Sequence, residues 1–89
     1  MNTELKAKIE AGTAEHHKSG KRWEITSEEM HEALAAGWKD FRSADLRGAY
    51  LGGADLGGAN LRGAYLGGAN LGGANLGGAY LRGAYLGGA

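Results

Sequence analysis

Residues 44–89 read ADLRG AYLGG ADLGG ANLRG AYLGG ANLGG ANLGG AYLRG AYLGG, followed by Ala89. One five-residue phrase recurs nine times without a break: Ala, then Asp, Asn or Tyr, then Leu, then Gly or Arg, then Gly. Half of the chain is therefore a repeat array, and its period governs every other reading. Five matches neither the 3.6 of an α-helix nor the 2 of an ordinary strand. Collagen is excluded, because the chain has no Pro. The period also differs from the hexapeptide repeat of other β-helices. What remains is a solenoid with one flat side per phrase. In it Leu is the large inward residue and Ala the small one. The Asp, Asn or Tyr points outward, and the last two residues make the corner.

Five of the phrases, Ala44-Asp45-Leu46, Ala54-Asp55-Leu56, Ala59-Asn60-Leu61, Ala69-Asn70-Leu71 and Ala74-Asn75-Leu76, carry a known motif letter for letter. Through them residues 44–89 resemble the pentapeptide repeat family. The resemblance implies a β fold, a right-handed quadrilateral β-helix with four pentapeptides per coil. Two features depart from the family pattern. Tyr stands in place of Asp or Asn at 50, 65, 80 and 85, and the variable positions, usually polar, are almost all Gly. The phase continues one step back, in Lys39-Asp40-Phe41-Arg42-Ser43, with Phe at the inward position, which the family accepts. The array then starts at Lys39 and makes about two and a half coils, about 12 Å tall at the usual strand spacing. Residues 1–38 form a separate helical cap and 39–89 the solenoid.

Within the cap, residues 3–11 read as a short helix. Asn2 or Thr3 caps it, Leu5 and Ile9 share a face, and Gly12 ends it. Residues 13–21 are polar and read as a loop or a frayed extension of that helix. Arg22-Trp23-Glu24-Ile25 alternates, which suits a short extended segment with Trp23 and Ile25 inward. A second helix is predicted over 27–36. Thr26 and Glu29 form a capping box, Ile25 and Met30 a hydrophobic staple, and Gly37 suits the left-handed position after the last turn. Met30, Ala33 and Leu34 line its apolar face. This helix and Trp38 are the expected lid on the lower end of the solenoid. No lid is visible for the upper end. Leu76, Leu81 and Leu86 are therefore expected to mediate self-association, most simply as a two-fold homodimer, with stacking into filaments as the other possibility.

Folding the array modulo twenty places Arg42, Arg62 and Arg82 in one column. Tyr65 and Tyr85 then stack over Asp45, and Tyr80 over Asn60 and Asp40. The edge carrying Arg42, Arg62, Arg82, Tyr65, Tyr80 and Tyr85 is the candidate binding strip, since Arg and Tyr are favoured at recognition surfaces. The plainer reading is that these residues add surface packing and solubility. With three phrases per coil, Tyr50, Tyr65 and Tyr80 would align instead.

Composition removes several classes of function. Net charge is zero, so no basic excess points to direct nucleic-acid binding. There is no Cys and no apolar run of membrane-span length, and Glu4, Lys6, Lys8 and Glu10 break any signal-peptide core. The expected compartment is the cytoplasm. His16, His17 and His31 are the one possible metal cluster, without carboxylates at ligand spacing, so no metal or cofactor is expected. His31-Glu32 begins like a zinc-protease helix, but Ala35 stands where the second His is needed. Gly20-Lys21 lacks the context of a phosphate loop, and Lys18, Lys21 and Arg22 read as a solvated basic loop. No nucleophile–base pair stands out, so no enzyme is expected.

The expected function is a non-catalytic binding or scaffold protein with a protein partner. The family resemblance adds an alternative: some members mimic a DNA duplex and modulate type II topoisomerases. That needs a long, acidic rod, whereas this array is short and carries three acids, Asp40, Asp45 and Asp55.

Overall fold

Successive turns of the array are joined by parallel bridges between residues twenty apart. Asp40 pairs with Asn60, Asp45 with Tyr65, Tyr50 with Asn70, Asp55 with Asn75, Asn60 with Tyr80, and Tyr65 with Tyr85. Four phrases therefore separate a residue from the one stacked on it, and Tyr50, Tyr65 and Tyr80 lie in different columns. The computed structural model describes residues 2–89, the side chain of His17 excepted. Its elements run α1 (Thr3–Ser19), β1 (Trp23–Glu24), α2 (Ser27–Ala35) and β2 (Ala44–Asp45), with the repeats continuing to the end.

Each position of the phrase has its own backbone task. The first-position N–H closes a turn onto the carbonyl three residues earlier, as in Ala49 N to Leu46 O at 3.0 Å. The second-position N–H donates downward, as in Tyr65 N to Ala44 O at 2.9 Å. The third- and fifth-position N–H groups donate upward, as in Leu46 N to Tyr65 O at 2.7 Å and Gly48 N to Gly67 O at 2.9 Å. The fourth-position N–H is taken by the Asp or Asn side chain two residues before it: Gly72 N to Asn70 Oδ1 and Gly77 N to Asn75 Oδ1 are both 2.9 Å. This local bond is why Asp and Asn suit the second position. The fifth residue has φ near +70°, as at Gly53 (+71°), the conformation that the third residue of a type II turn requires. Ser43 (+61°) occupies it without being Gly.

The inward residues form one core. Phe41, Leu46, Leu51, Leu56, Leu61 and Leu66 are buried, with Ala44 through Ala69 between them. Leu71, Leu76 and Leu81 are half-buried, and Leu86 is 43% exposed. Burial therefore fades along the axis, from the covered end to the open one.

The lid corrects the sequence reading in two respects. Helix α1 continues to Ser19 rather than stopping at Gly12, and residues 13–19 are helical. Gly12 lies inside the helix because the Trp23 ring packs where its side chain would be: a Cβ there would stand 2.2 Å from Trp23 Cδ2. The helix ends instead at Gly20 (φ +69°), whose N–H donates to His16 O. Asn2 is the N-cap, accepting from Leu5 N at 2.7 Å. The second correction is that α1 shares the work of the lid. Leu5 and Ile9 of α1 join Ile25, Met30, Ala33 and Phe41 in the same core. Lys8 Nζ, 2.8 Å from Glu29 Oε1, ties the two helices together.

Helix α2 ends at Ala35, one residue short of the predicted end, because Ala36 serves as its C-cap. Its capping box is formed, with Glu29 N to Thr26 Oγ1 at 3.1 Å and Thr26 N to Glu29 Oε1 at 2.9 Å. Gly37 (φ +85°) donates to Leu34 O and Trp38 N to Ala33 O, which closes the helix in a Schellman motif. Strand β1 runs parallel to β2, Trp23 beside Ala44 and Glu24 beside Asp45. It thus supplies a strand beneath the first coil on one side, before the repeats begin.

The rest of the lid covers the lower edge with side chains. Trp23 Nε1 donates to Arg42 O at 2.7 Å, and Trp38 Nε1 to Asp40 O at 3.0 Å. Ser27 and His31, one turn apart on α2, hold Tyr50: its N–H donates to Ser27 Oγ at 3.0 Å, and His31 Nε2 lies 2.9 Å from its carbonyl. A carbonyl only accepts, so Nε2 is the protonated nitrogen of His31.

Candidate functional site

Two columns of side chains meet at the corner that carries arginine. The first rises from Glu24 of β1 through Asp45 and Tyr65 to Tyr85. The Tyr65 and Tyr85 rings stack at 4.6 Å between centroids and 33° between planes. Arg22 lies over Tyr65, 5.2 Å from its centroid, and its Nε is 3.7 Å from Asp45 Oδ2. Arg47 grips Asp45 with two bonds, Nε to Oδ1 at 2.9 Å and Nη2 to Oδ2 at 2.8 Å. The second column is Asp40, Asn60 and Tyr80. Arg42 pairs with Asp40, Nε to Oδ1 at 2.8 Å, and Arg62 lies over Tyr80, 4.8 Å from its centroid.

The six residues singled out for binding therefore do different things. Arg62 and Tyr80 form a cation–π pair, and Tyr65 and Tyr85 an aromatic stack. Arg42 is held by the acid of its own phrase. Arg82 is exposed, and among the described residues it has no ion pair or ring contact. Sequence reading missed Arg22 and Arg47, which bring two further guanidinium groups to the first column. By its neighbours in sequence Arg22 belongs to a solvated loop, whereas in the fold it lies over Tyr65 and beside Asp45. Counting modulo twenty cannot place it, because β1 stands outside the array and sits twenty-one residues, not twenty, below β2.

The Arg47 hydrogen bonds hold the Asp45 carboxyl below the usual carboxylate range, and Lys8 does the same for Glu29. A depressed folded-state pKa stabilises above the unfolded value and is lost as pH falls through the folded one. The fold is thus expected to weaken as pH drops below about 4. Asp45→Asn should flatten that slope in denaturation midpoints measured across pH, while lowering stability at neutral pH.

Beside this column lies a shallow groove of about 520 Å³ lined by Lys8, Glu24, Ile25, Thr26, Asp45 and Arg47. Its charges are of both signs and largely paired. Elsewhere, Ser43 Oγ and His16 Nδ1 are 2.5 Å apart, with Gly20 O 3.4 Å from the hydroxyl. This hydroxyl–imidazole pair escaped the sequence reading. Ser43 is only 1% exposed, so the pair is closed to a substrate and serves to fasten the end of α1 to the first corner of the array. His31 is engaged at Tyr50, away from His16, and the His17 side chain lies outside the described residues.

At the other end, Leu76, Leu81 and Leu86 sit on the last coil. The upward N–H groups of Leu71, Leu76, Leu81 and Leu86 have no backbone acceptor among the described residues. Residues 70–89 contain no Asp or Glu, and Arg82 is their one charged side chain.

Comparison with protein families finds pentapeptide repeats in eight copies, over residues 40–78 and 59–89, more than half of the chain. The chain belongs to the pentapeptide repeat family. Its array is a β-helical solenoid, and the hydrogen-bond roles above are those of its pentapeptides. At Tyr50, Tyr65, Tyr80 and Tyr85 a pentapeptide gives up the side-chain cap on its fourth N–H in exchange for an outward phenol. No curated protein matches the chain. No helix among the described residues is long and apolar enough to cross a membrane.

Proposed function

We propose that this pentapeptide repeat protein is a non-catalytic scaffold for protein contacts, acting in the cytoplasm. Its solenoid is read as a right-handed, four-sided coil of about two and a half turns beginning at Lys39. The twenty-residue spacing of every bridge supports four sides. The observation that carries the scaffold reading is the pairing of aromatic and cationic groups on a rigid wall, Arg62 over Tyr80 and Arg22 over Tyr65. Side chains fixed this way lose little further entropy on binding. Beside them Arg47 is paired with Asp45 and Arg42 with Asp40. A pull-down with the wild type against the Arg62→Glu/Arg82→Glu double variant tests the strip. A specific partner retained by the wild type and lost by the variant supports it, and equal capture sinks it.

A second reading, self-association through the last coil, is favoured by the exposure of Leu86 and the half-burial of Leu76 and Leu81. Sedimentation equilibrium at micromolar concentration would show a dimer, and a well-folded monomer would refute it. The topoisomerase-modulating alternative gains no support from the electrostatics. Asp40 and Asp45 are neutralised by Arg42 and Arg47, which leaves Asp55 as the acid of the array without an ion pair among the described residues.

A further inference from the structure

The fourth N–H of a pentapeptide lies at a corner, within reach of the side chain of its own second residue. Six phrases cap it in this way, from Asp40, Asp45, Asp55, Asn60, Asn70 and Asn75, at 2.9–3.4 Å. The phrases that carry Tyr leave it without an acceptor among the described residues, at Gly52, Gly67, Arg82 and Gly87. A coil stacked above does not change this. Gly52 and Gly67 have Gly72 and Gly87 over them, and their N–H groups are still uncapped. The uncapped donor is therefore a property of the Tyr phrase itself.

Where the fourth residue is Arg and the second Asp, the phrase forms a complete carboxylate cradle. Arg47 donates to Asp45 Oδ1 from its backbone N–H at 3.2 Å and from Nε at 2.9 Å, and to Oδ2 from Nη2 at 2.8 Å. Arg42 grips Asp40 with the same three groups. The charge of the second residue decides where the guanidinium goes. With Asn there, the Arg62 N–H is still capped by Asn60 Oδ1 at 3.3 Å, but the guanidinium turns onto Tyr80. The phrase at residues 79–83 has the Arg without the acid. Arg82 presents the same N–H and the same fork, neither with a partner among the described residues, and Tyr80 stands where the carboxylate would be.

We infer that Arg82 is a binding site for an Asp or Glu side chain of a partner protein, held by the Arg82 N–H and guanidinium as Asp45 is held by Arg47. This rests on the reading of the arginine and tyrosine strip as a contact surface, and it names the chemistry of the contact. Two parallel bonds from a guanidinium to a planar carboxylate are the strong form of this pairing. Arg62, 4.8 Å from the centroid of the Tyr80 ring, brings a second positive charge to a column in which Asn60 and Tyr80 contribute no acid. A nucleic acid suits the site less well, because a face of Tyr80 that would stack on a base already carries Arg62.

The test is chemical-shift titration of the full chain, read at the backbone amides and the arginine Nε–H groups, with the capped peptide Gly-Asp-Gly-Asp-Gly. Its Gly-Asn-Gly-Asn-Gly counterpart and a single-stranded oligothymidine serve as controls. The expected result is that the Asp peptide moves the Arg82 amide and Nε–H and leaves the capped amides of Arg47 and Gly77 in place. Tyr80→Asp rebuilds the internal cradle and should weaken binding about tenfold with the folded spectrum retained, and Arg82→Gln should weaken it as much. Equal shifts with the Asn peptide, shifts with oligothymidine alone, or undiminished binding by Tyr80→Asp would overturn the inference. Shifts of the Arg82 amide with protein concentration alone would overturn it in favour of a second copy. If Arg82 ignores the peptide while the Arg62→Glu/Arg82→Glu variant still loses its partner in the pull-down, the inference falls and the contact strip stands. No response together with equal capture sinks both.

Discussion

Leu61→Ala is expected to lower the stability of the fold by about 2–5 kcal/mol, a large share of what a domain of this size possesses. Leu61 is completely buried, and the twenty-residue stacking sets it between Phe41 below and Leu81 above. Cutting its isobutyl side chain back to a methyl leaves a hole inside a fully buried layer. The surrounding backbone cannot fall in, because Leu61 N is bonded to Tyr80 O at 2.8 Å and Ala64 N closes the turn onto Leu61 O. The matched control is Leu86→Ala, the same substitution at a residue 43% exposed, where no closed cavity forms and the loss should be well under half as large. Chemical denaturation checks both. The Leu61→Ala midpoint should fall sharply with an unchanged denaturant slope, and equal losses at the two sites would mean that burial does not fade along the axis.

Gly12→Ala is expected to destabilise, which inverts the ordinary rule. In an exposed helix interior this substitution gains about 1 kcal/mol, because Ala is the better helix former. Here the added methyl carbon would stand 2.2 Å from Trp23 Cδ2 and 2.3 Å from Cγ. Ring carbons so close to the backbone cannot swing aside cheaply, since the indole N–H is bonded to Arg42 O and the Trp23 N–H to Ser43 O. Either α1 lifts from the lid or Trp23 leaves its strand. The net loss should be about 1–3 kcal/mol, in the range of overpacked cores. Thermal unfolding with Trp fluorescence reads both the stability and the environment of the ring. A rise in the unfolding temperature would show that α1 is not packed on Trp23.

What was legible in the sequence was whatever repeats or acts locally. The five-residue period, the inward Leu and Ala, and the continuation through Phe41 follow from a pattern too regular to have another meaning. The capping box at Thr26 and Glu29 and the left-handed Gly37 follow from short-range backbone chemistry. The errors lie where distant residues decide. Gly12 looks like a helix stop until Trp23 is known to fill the space beside it. His16 and Ser43 lie twenty-seven residues apart, and nothing in either neighbourhood announces that they meet. Arg22 joins the tyrosine column only because β1 adds a strand beneath β2. The polarity of the solenoid was not legible at all, because it resides in the backbone N–H and C=O groups, which every sequence shares.

The architecture rests on the twenty-residue coil, in which the N–H groups of Leu46 to Leu66 are bonded to the coil above while those of Leu71, Leu76, Leu81 and Leu86 have no backbone acceptor among the described residues. Residue-resolved hydrogen exchange, in dilute solution and without a ligand, tests it most directly. The amides of Leu46, Leu51, Leu56, Leu61 and Leu66, each bonded to the coil above, should be strongly protected. Those of Leu71, Leu76, Leu81 and Leu86 should exchange quickly, although the same pentapeptide surrounds them. Equal protection of the two sets would contradict the account.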